Sequence, residues 1–209
     1  MDETKNKIIV KDIESFGWIK AIQGMRKSFG SEQSMDTFKA YTGEIFIGEK
    51  DKKLMLKLIK SGSSHRKFLR AIHIQSQVIA PFYWWTEMDT YKIATTRLSS
   101  STMHTMAKRD LTFKDFRFDH EDDVAEGIIN NLNLNIEIYR KDKSIKNLRI
   151  IKQMLPSNFL YDCILDFNYE NFINIYRDRK DHRLNEWREF LIPFIEELPL
   201  MKDIINVIC

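Results

Sequence analysis

The stretch LRAIHIQSQVIAPFYWWTEMDTYKIATTRLSSSTMH, residues 69–104, decides how the chain is read. Its first part alternates: Ile72, Ile74 and Val78 on one side, His73, Gln75 and Gln77 on the other, which predicts a strand over 69–79. Pro81 ends it, because proline has no N–H to give to a ladder. Four aromatics follow, Phe82, Tyr83, Trp84 and Trp85, then Glu87, Asp89, Tyr91 and Lys92. The stretch closes on hydroxyls: Thr95, Thr96, Ser99, Ser100, Ser101 and Thr102. A strand that runs through a bulky anchor into a donor-rich loop is one way to build a phosphate or nucleotide site. A buried strand, a core aromatic cluster and a surface Ser/Thr loop is the other reading, and composition favours it.

Outward from this stretch, 209 residues suffice for one substantial core. With 43% apolar and 30% charged residues the chain has the composition of a globular protein. A net charge of +3 is too even for a surface that binds polymeric nucleic acid. No apolar run approaches the roughly 20 residues of a membrane span, and the first residues lack a signal-peptide core. Cys163 and Cys209 make no disulfide framework, so a reducing, cytoplasmic setting is expected.

Along the chain the pattern predicts a short strand at 8–10, a helix over 15–29 weakened by Gly17 and Gly24, and a helix over 51–60 ended by Ser61-Gly62. The loop 63–67, Ser-Ser-His-Arg-Lys, is small, polar and basic. Helices beginning near Asp122 and over 144–155 follow, the second stopped by Pro156. Residues 159–167 alternate strictly, with Phe159, Tyr161, Cys163, Leu165 and Phe167 facing one way and Asp162 and Asp166 the other. Helices over 168–179 and 183–198 and an apolar tail from Leu200 complete the chain. The expectation is one α+β domain over 1–209, a central and mostly antiparallel sheet flanked by helices.

Most catalytic signatures are missing. The five histidines stand at no spacing used by metal sites, so no metal is expected. There is no GxxxxGK, GxGxxG or GxSxG. Cys163 lies mid-strand among apolar neighbours and reads as packing. One basic cluster stands out: Arg177, Arg179, Lys180, His182, Arg183 and Arg188. On one continuous helix Arg179 and Arg183 share a face. Guanidinium groups gathered at a helix junction suit a phosphate or carboxylate. Interleaved Asp178, Asp181, Glu186 and Glu189 equally suit a salt-bridged surface.

Two separated stretches together resemble the flavin-dependent thymidylate synthases. That family has a helix ending in glycine, a strand ending in Ala-Pro, a helix with Arg-His-Arg, then a serine, Asn-Glu, a further serine and Arg-Tyr. Here the helix is 54–62, Ala80-Pro81 ends the strand, Thr90-Tyr91-Lys92 falls on Arg-His-Arg, and Ser100 on the later serine. Towards the C-terminus Leu155-Pro156, the strand to Phe167, the run from Asn171 to Ile175, Arg177, His182 and Glu186-Trp187-Arg188 follow in the family's order. Of Arg-His-Arg only Lys92 keeps a charge; Arg97-Leu98 replaces Asn-Glu, and Thr102-Met103 replaces Arg-Tyr. The Tyr-Trp-Trp, Asp-Thr-Tyr-Lys and Ser-Thr-Met-His blocks are similar to those of small relatives from low-GC bacteria and their phages.

The resemblance implies methyl transfer to deoxyuridylate or a related pyrimidine nucleotide, with FAD as cofactor and methylenetetrahydrofolate and NADPH as co-substrates. It implies Arg177 or Arg179 in the catalytic role, and Tyr91, Lys92, His182, Asn171 and His65 at the cofactor. It implies Glu87, Arg97, Ser99, Ser100, Ser101 and Arg188 at the nucleotide. A homo-oligomer, a tetramer by resemblance, is expected, as is a cleft where residues 92–101 meet the arginine cluster. Tyr83, Trp84 or Trp85 stacked on a ligand ring is a further expectation. The departures leave an alternative: a nucleotide-binding or interaction protein that keeps the fold without the chemistry.

Overall fold

A computed structural model describes residues 7–208 of the chain. Strand β1 (Ile9–Phe16) opens it, longer than the pattern suggested, so Ser15 and Phe16 belong to the strand rather than the helix. Gly17 makes the break. Its φ of 94° is left-handed, and an added Cβ would lie 2.1 Å from the carbonyl oxygen of Ala71. Helix α1 (Trp18–Lys27) follows, then a hairpin the sequence did not announce, β2 (Phe38–Lys39) with β3 (Ile45–Phe46). Helix α2 (Glu49–Lys60) ends at Ser61.

Residues Lys67–Ala71 form a 3₁₀ turn, and strand β4 (His73–Pro81) starts later than expected. Buried Phe68 and Leu69 explain the shift: they pack as a turn and not as a strand edge. Pro81 is the last residue of β4 and the N-cap of helix α3 (Phe82–Met88). The hydroxyl-rich segment is not a plain loop. It contains strand β5 (Thr96–Ser99) and the short helix α4 (Thr102–Thr105).

Helix α5 (Asp123–Asp142) is capped by Asp122, whose carboxylate accepts the Ala125 N–H at 2.9 Å. Helix α6 (Ile145–Met154) is capped by Ser144. Strand β6 (Leu160–Asn168) buries Cys163, Leu165 and Phe167, as alternation predicts. Helix α7 (Tyr169–Arg179) is capped by Asn168. The chain leaves the helix there, so Arg179 and Arg183 do not share a helical face as one continuous helix required. Helix α8 (Asn185–Glu197) keeps Pro193 inside, and the apolar tail is helix α9 (Met201–Ile208). Cys209 lies outside the described residues.

The class is the one expected: α+β, with a mostly antiparallel sheet of strand order β1-β4-β6-β5 and flanking helices. Two compact units contribute to it. Of the described residues, one holds 7–9, 78–90 and 98–164; the other holds 10–77, 91–97 and 165–208. The core of the first is Met106, Leu111, Phe116, Ile129, Leu132, Ile136 and Ile151, with the edge-on pair Trp84 and Trp85 wholly buried beside β6. That burial removes both tryptophans as ring platforms for a ligand. The second unit is centred on Phe167, Phe172, Phe190 and Phe194, with ring centroids 4.9–6.4 Å apart. Among the described residues no helix is long and apolar enough to cross a membrane.

Candidate functional site

In the second unit the 3₁₀ turn after residue 66 is held by a buried ion pair. Arg66 donates from Nε to Glu170 at 2.9 and 3.2 Å and from Nη2 at 3.1 Å, across 104 residues of sequence. Both side chains are at most one tenth exposed. The pair fastens the 63–67 loop to the first turn of α7, where a carboxylate also suits the positive helix end. The loop then presents His65 and Lys67 at the rim of a cavity of about 390 Å³. Lys20 adds a third basic group, Ser28 and Ser64 add hydroxyls, and Met25, Leu58 and Phe68 give an apolar floor. Gly24 of α1 also lines it, and nothing lies within 4 Å of where its Cβ would stand. The size and the mixture of apolar wall with few polar groups are those of a small-molecule site.

Elsewhere in the same unit the segment before β5 meets the arginine helix. The Tyr91 hydroxyl accepts from Arg179 Nε at 2.9 Å and donates to Asp178 at 3.2 Å. The Arg179 guanidinium lies 4.7 Å from the Trp187 ring centroid and 5.6 Å from that of Tyr91. Burial, with Asp178 alongside, raises the Tyr91 pKa although Arg179 pulls the other way, so the phenol is neutral and oriented. Asn171 donates to the Ile93 carbonyl at 2.7 Å, while its own Oδ1, like the Thr95 hydroxyl, is buried without a partner. Unfilled acceptors of this kind are costly unless something occupies them.

The remaining residues singled out in sequence are spread. Arg177 and Arg188 are exposed on α7 and α8, and Lys92 is exposed. His182 accepts the Leu184 N–H at 3.2 Å and packs edge-on to Trp187 at 6.2 Å. Arg97 is half-buried in β5.

In the first unit Glu87 is half-buried in the last turn of α3, Ser99 ends β5, and Ser101 stands just before α4 without a side-chain capping bond. Ser100 donates its N–H to the Asp162 carbonyl at 3.0 Å and lines a second cavity of about 550 Å³. Thr102, Thr105, Lys108, Arg109 and Lys114 line it too, with Asp115 and Asp162. Burial pushes the Asp115 carboxyl up, but Arg109 and the Thr112 N–H outweigh it and hold it below the ordinary range. Lys152 of α6 donates to the buried Thr102 hydroxyl. The basic loop 63–67 was legible with Lys67 in it, but sequence reasoning missed Lys20, Lys108 and Lys152. Each is a single basic residue on an ordinary helix or loop, and no local pattern separates it from a solvated lysine.

No protein-family model matches the sequence, and no curated protein does. Solved structures do. Thymidylate synthase X from Helicobacter pylori, crystallised with FAD and dUMP, superposes with a TM-score of 0.73 at 14% identity, covering 96% of this chain and 99% of that one. A second structure of the flavin-dependent enzyme from the same organism, also with FAD and dUMP, gives 0.71 at 14% identity over 92% and 94%. The chain has the fold of the flavin-dependent thymidylate synthases.

Proposed function

We propose that the protein is a flavin-dependent thymidylate synthase-like enzyme. It would transfer a one-carbon unit from methylenetetrahydrofolate to deoxyuridylate or a related pyrimidine nucleotide, with NADPH as reductant, in a homo-oligomer. The observation that carries the reading is Arg179. A guanidinium fixed by the neutral Tyr91 hydroxyl and by the Trp187 face, on this fold, is an oriented cation rather than a mobile surface charge.

FAD fits the residues present. The basic rim and apolar floor of the 390 Å³ cavity suit a diphosphate and one ring system, so Lys20, His65 and Lys67 would hold it there. Tyr91, Lys92, Asn171, Arg179 and His182 form the other set that would hold it, Asn171 through its unfilled Oδ1. When bound and reduced, the flavin supplies hydride. The protein's part is positioning and electrostatics: Arg179 would draw electron density from a ring bound beside it, and Tyr91 keeps Arg179 in place. Ser100, Thr105, Lys108 and Arg109, around the second cavity, are of the type that holds a nucleotide phosphate.

The test is binding. Purified protein should take up FAD, seen as absorbance near 450 nm, and dUMP should raise its melting temperature because a ligand of the native state alone stabilises it. Arg179→Ala should weaken FAD binding by about 1.5–3 kcal/mol, the range for a hydrogen bond to a charged group. Thr90-Tyr91-Lys92 in place of Arg-His-Arg favours a second reading, a nucleotide-binding protein without flavin. Protein that stays colourless yet is stabilised by dUMP selects it; no response to either ligand removes both.

A further inference from the structure

Helix α5 buries one face, Ala125, Ile129, Leu132 and Ile136, and leaves the other open. On the open face stand Val124, 71% exposed, Leu134, 56%, and Ile138, 45%, with Gly127, Ile128, Asn131 and Asn135 between them. At 3.6 residues per turn all seven fall within about 60° of Asn131. Their spacing is palindromic about that residue: Val124 and Ile138 are seven away on either side, Ile128 and Leu134 three, Gly127 and Asn135 four. Beside the N-terminal half, Val124, Gly127, Ile128, Asn131, Leu132 and Met154 line an open groove of about 400 Å³. The C-terminal half carries the projecting side chains.

We infer that this face pairs antiparallel, across a two-fold axis, with α5 of a second copy of the chain. The juxtaposition satisfies the rule for such contacts, that residue i meets j while j meets i. Leu134 and Ile138 of each copy enter the groove of the other, where Gly127 permits close approach, and Asn131 meets its own equivalent on the axis. Charge agrees. Glu121, Asp122, Asp123 and Glu126 make the start of the helix strongly acidic, Arg140, Lys141 and Lys143 outnumber Glu137 and Asp142 at its end, and residues 127–136 carry no ionisable group. Antiparallel pairing sets each acidic end on a basic end; parallel pairing sets like on like. The inference deepens the self-association in the proposed function and uses none of its chemistry.

Cysteine scanning in a Cys209→Ser background tests it. Asn131→Cys should oxidise to a covalent dimer, because only a residue on the axis comes within disulfide reach of itself. Val124→Cys and Ile138→Cys alone should not, since each lies about 20 Å along the helix from its equivalent. Together they should cross-link fully. Ile138→Asp should halve the mass in light scattering at an unchanged far-UV circular dichroism spectrum. Failure of Asn131→Cys to cross-link, cross-linking of Val124→Cys to itself, or an unchanged mass for Ile138→Asp would each overturn the inference. FAD and dUMP binding by the dimeric wild type is scored separately, so loss of the enzyme reading leaves this result standing.

Discussion

Glu170→Gln isolates the contact on which the loop with His65 and Lys67 depends. The substitution keeps the shape of the side chain and removes its charge. Arg66 is left 2% exposed with Nη1 already lacking a partner, and it loses the carboxylate that took three of its contacts. Removing one member of a buried pair costs about 3–5 kcal/mol, mostly because the other charge stays buried. The glutamine oxygen still accepts one bond, so the lower end applies, about 3 kcal/mol. With a urea slope of about 2–3 kcal/mol/M for a chain of this size, the unfolding midpoint should fall by roughly 1–1.5 M. Replacing both Arg66 and Glu170 by Met should recover much of that loss, because no charge is then stranded. Urea titration followed by tryptophan fluorescence measures both variants. A midpoint shift below about 0.3 M for Glu170→Gln, or a double variant weaker than the single one, would refute the argument that the pair is buried and fixes the loop.

Gly17→Ala should destabilise by more than the roughly 1–2 kcal/mol of a left-handed alanine, because its Cβ would also meet the Ala71 carbonyl. An unchanged melting temperature would contradict that geometry. Asp51, wholly buried, accepts from Arg26 at 2.6 Å, Thr37 at 2.8 Å and Asp36 at 3.0 Å. Burial opposes its ionisation, but the bonds from Thr37 and Arg26 win and depress its pKa below the ordinary 3.8. A depressed carboxylate contributes stability that is present above its unfolded pKa and lost as pH falls through the folded one. Between pH 5 and pH 2 the wild type should therefore lose more stability than Asp51→Asn does, which parallel melting curves would show.

The strands, helices and caps were largely legible in the sequence. Alternation in 72–78 and 159–167 is a local signal, since it fixes which side of a strand is apolar whatever the strand meets. Asp122 and Ser144 announce helix starts for the same reason: the cap bonds its own neighbours. Where local pattern misled, a distant group had decided. The strand expected from residue 69 begins only at His73, because Phe68 and Leu69 are buried in a turn and Arg66 is tied to Glu170, 104 residues away. The hydroxyl run reads as a loop, but residues 96–99 became a sheet edge because β6 offered unpaired backbone.

The candidate site divides the same way. The sequence marked Arg179 within a basic cluster suited to an anion but could not tell it from Arg177, and Tyr91 and Asn171 entered only through the family resemblance. Only the tertiary structure separates them: Arg177 is exposed on α7, and Arg179 is bonded to Tyr91 and laid against Trp187. The basic groups around the two cavities, Lys20, His65 and Lys67 in one and Lys108, Arg109 and Lys114 in the other, come from residues with no common motif. Cap and alternation are written in neighbouring residues and survive any tertiary context. A cavity is made by side chains that meet only after burial has chosen which surfaces close, and that choice belongs to the folded chain.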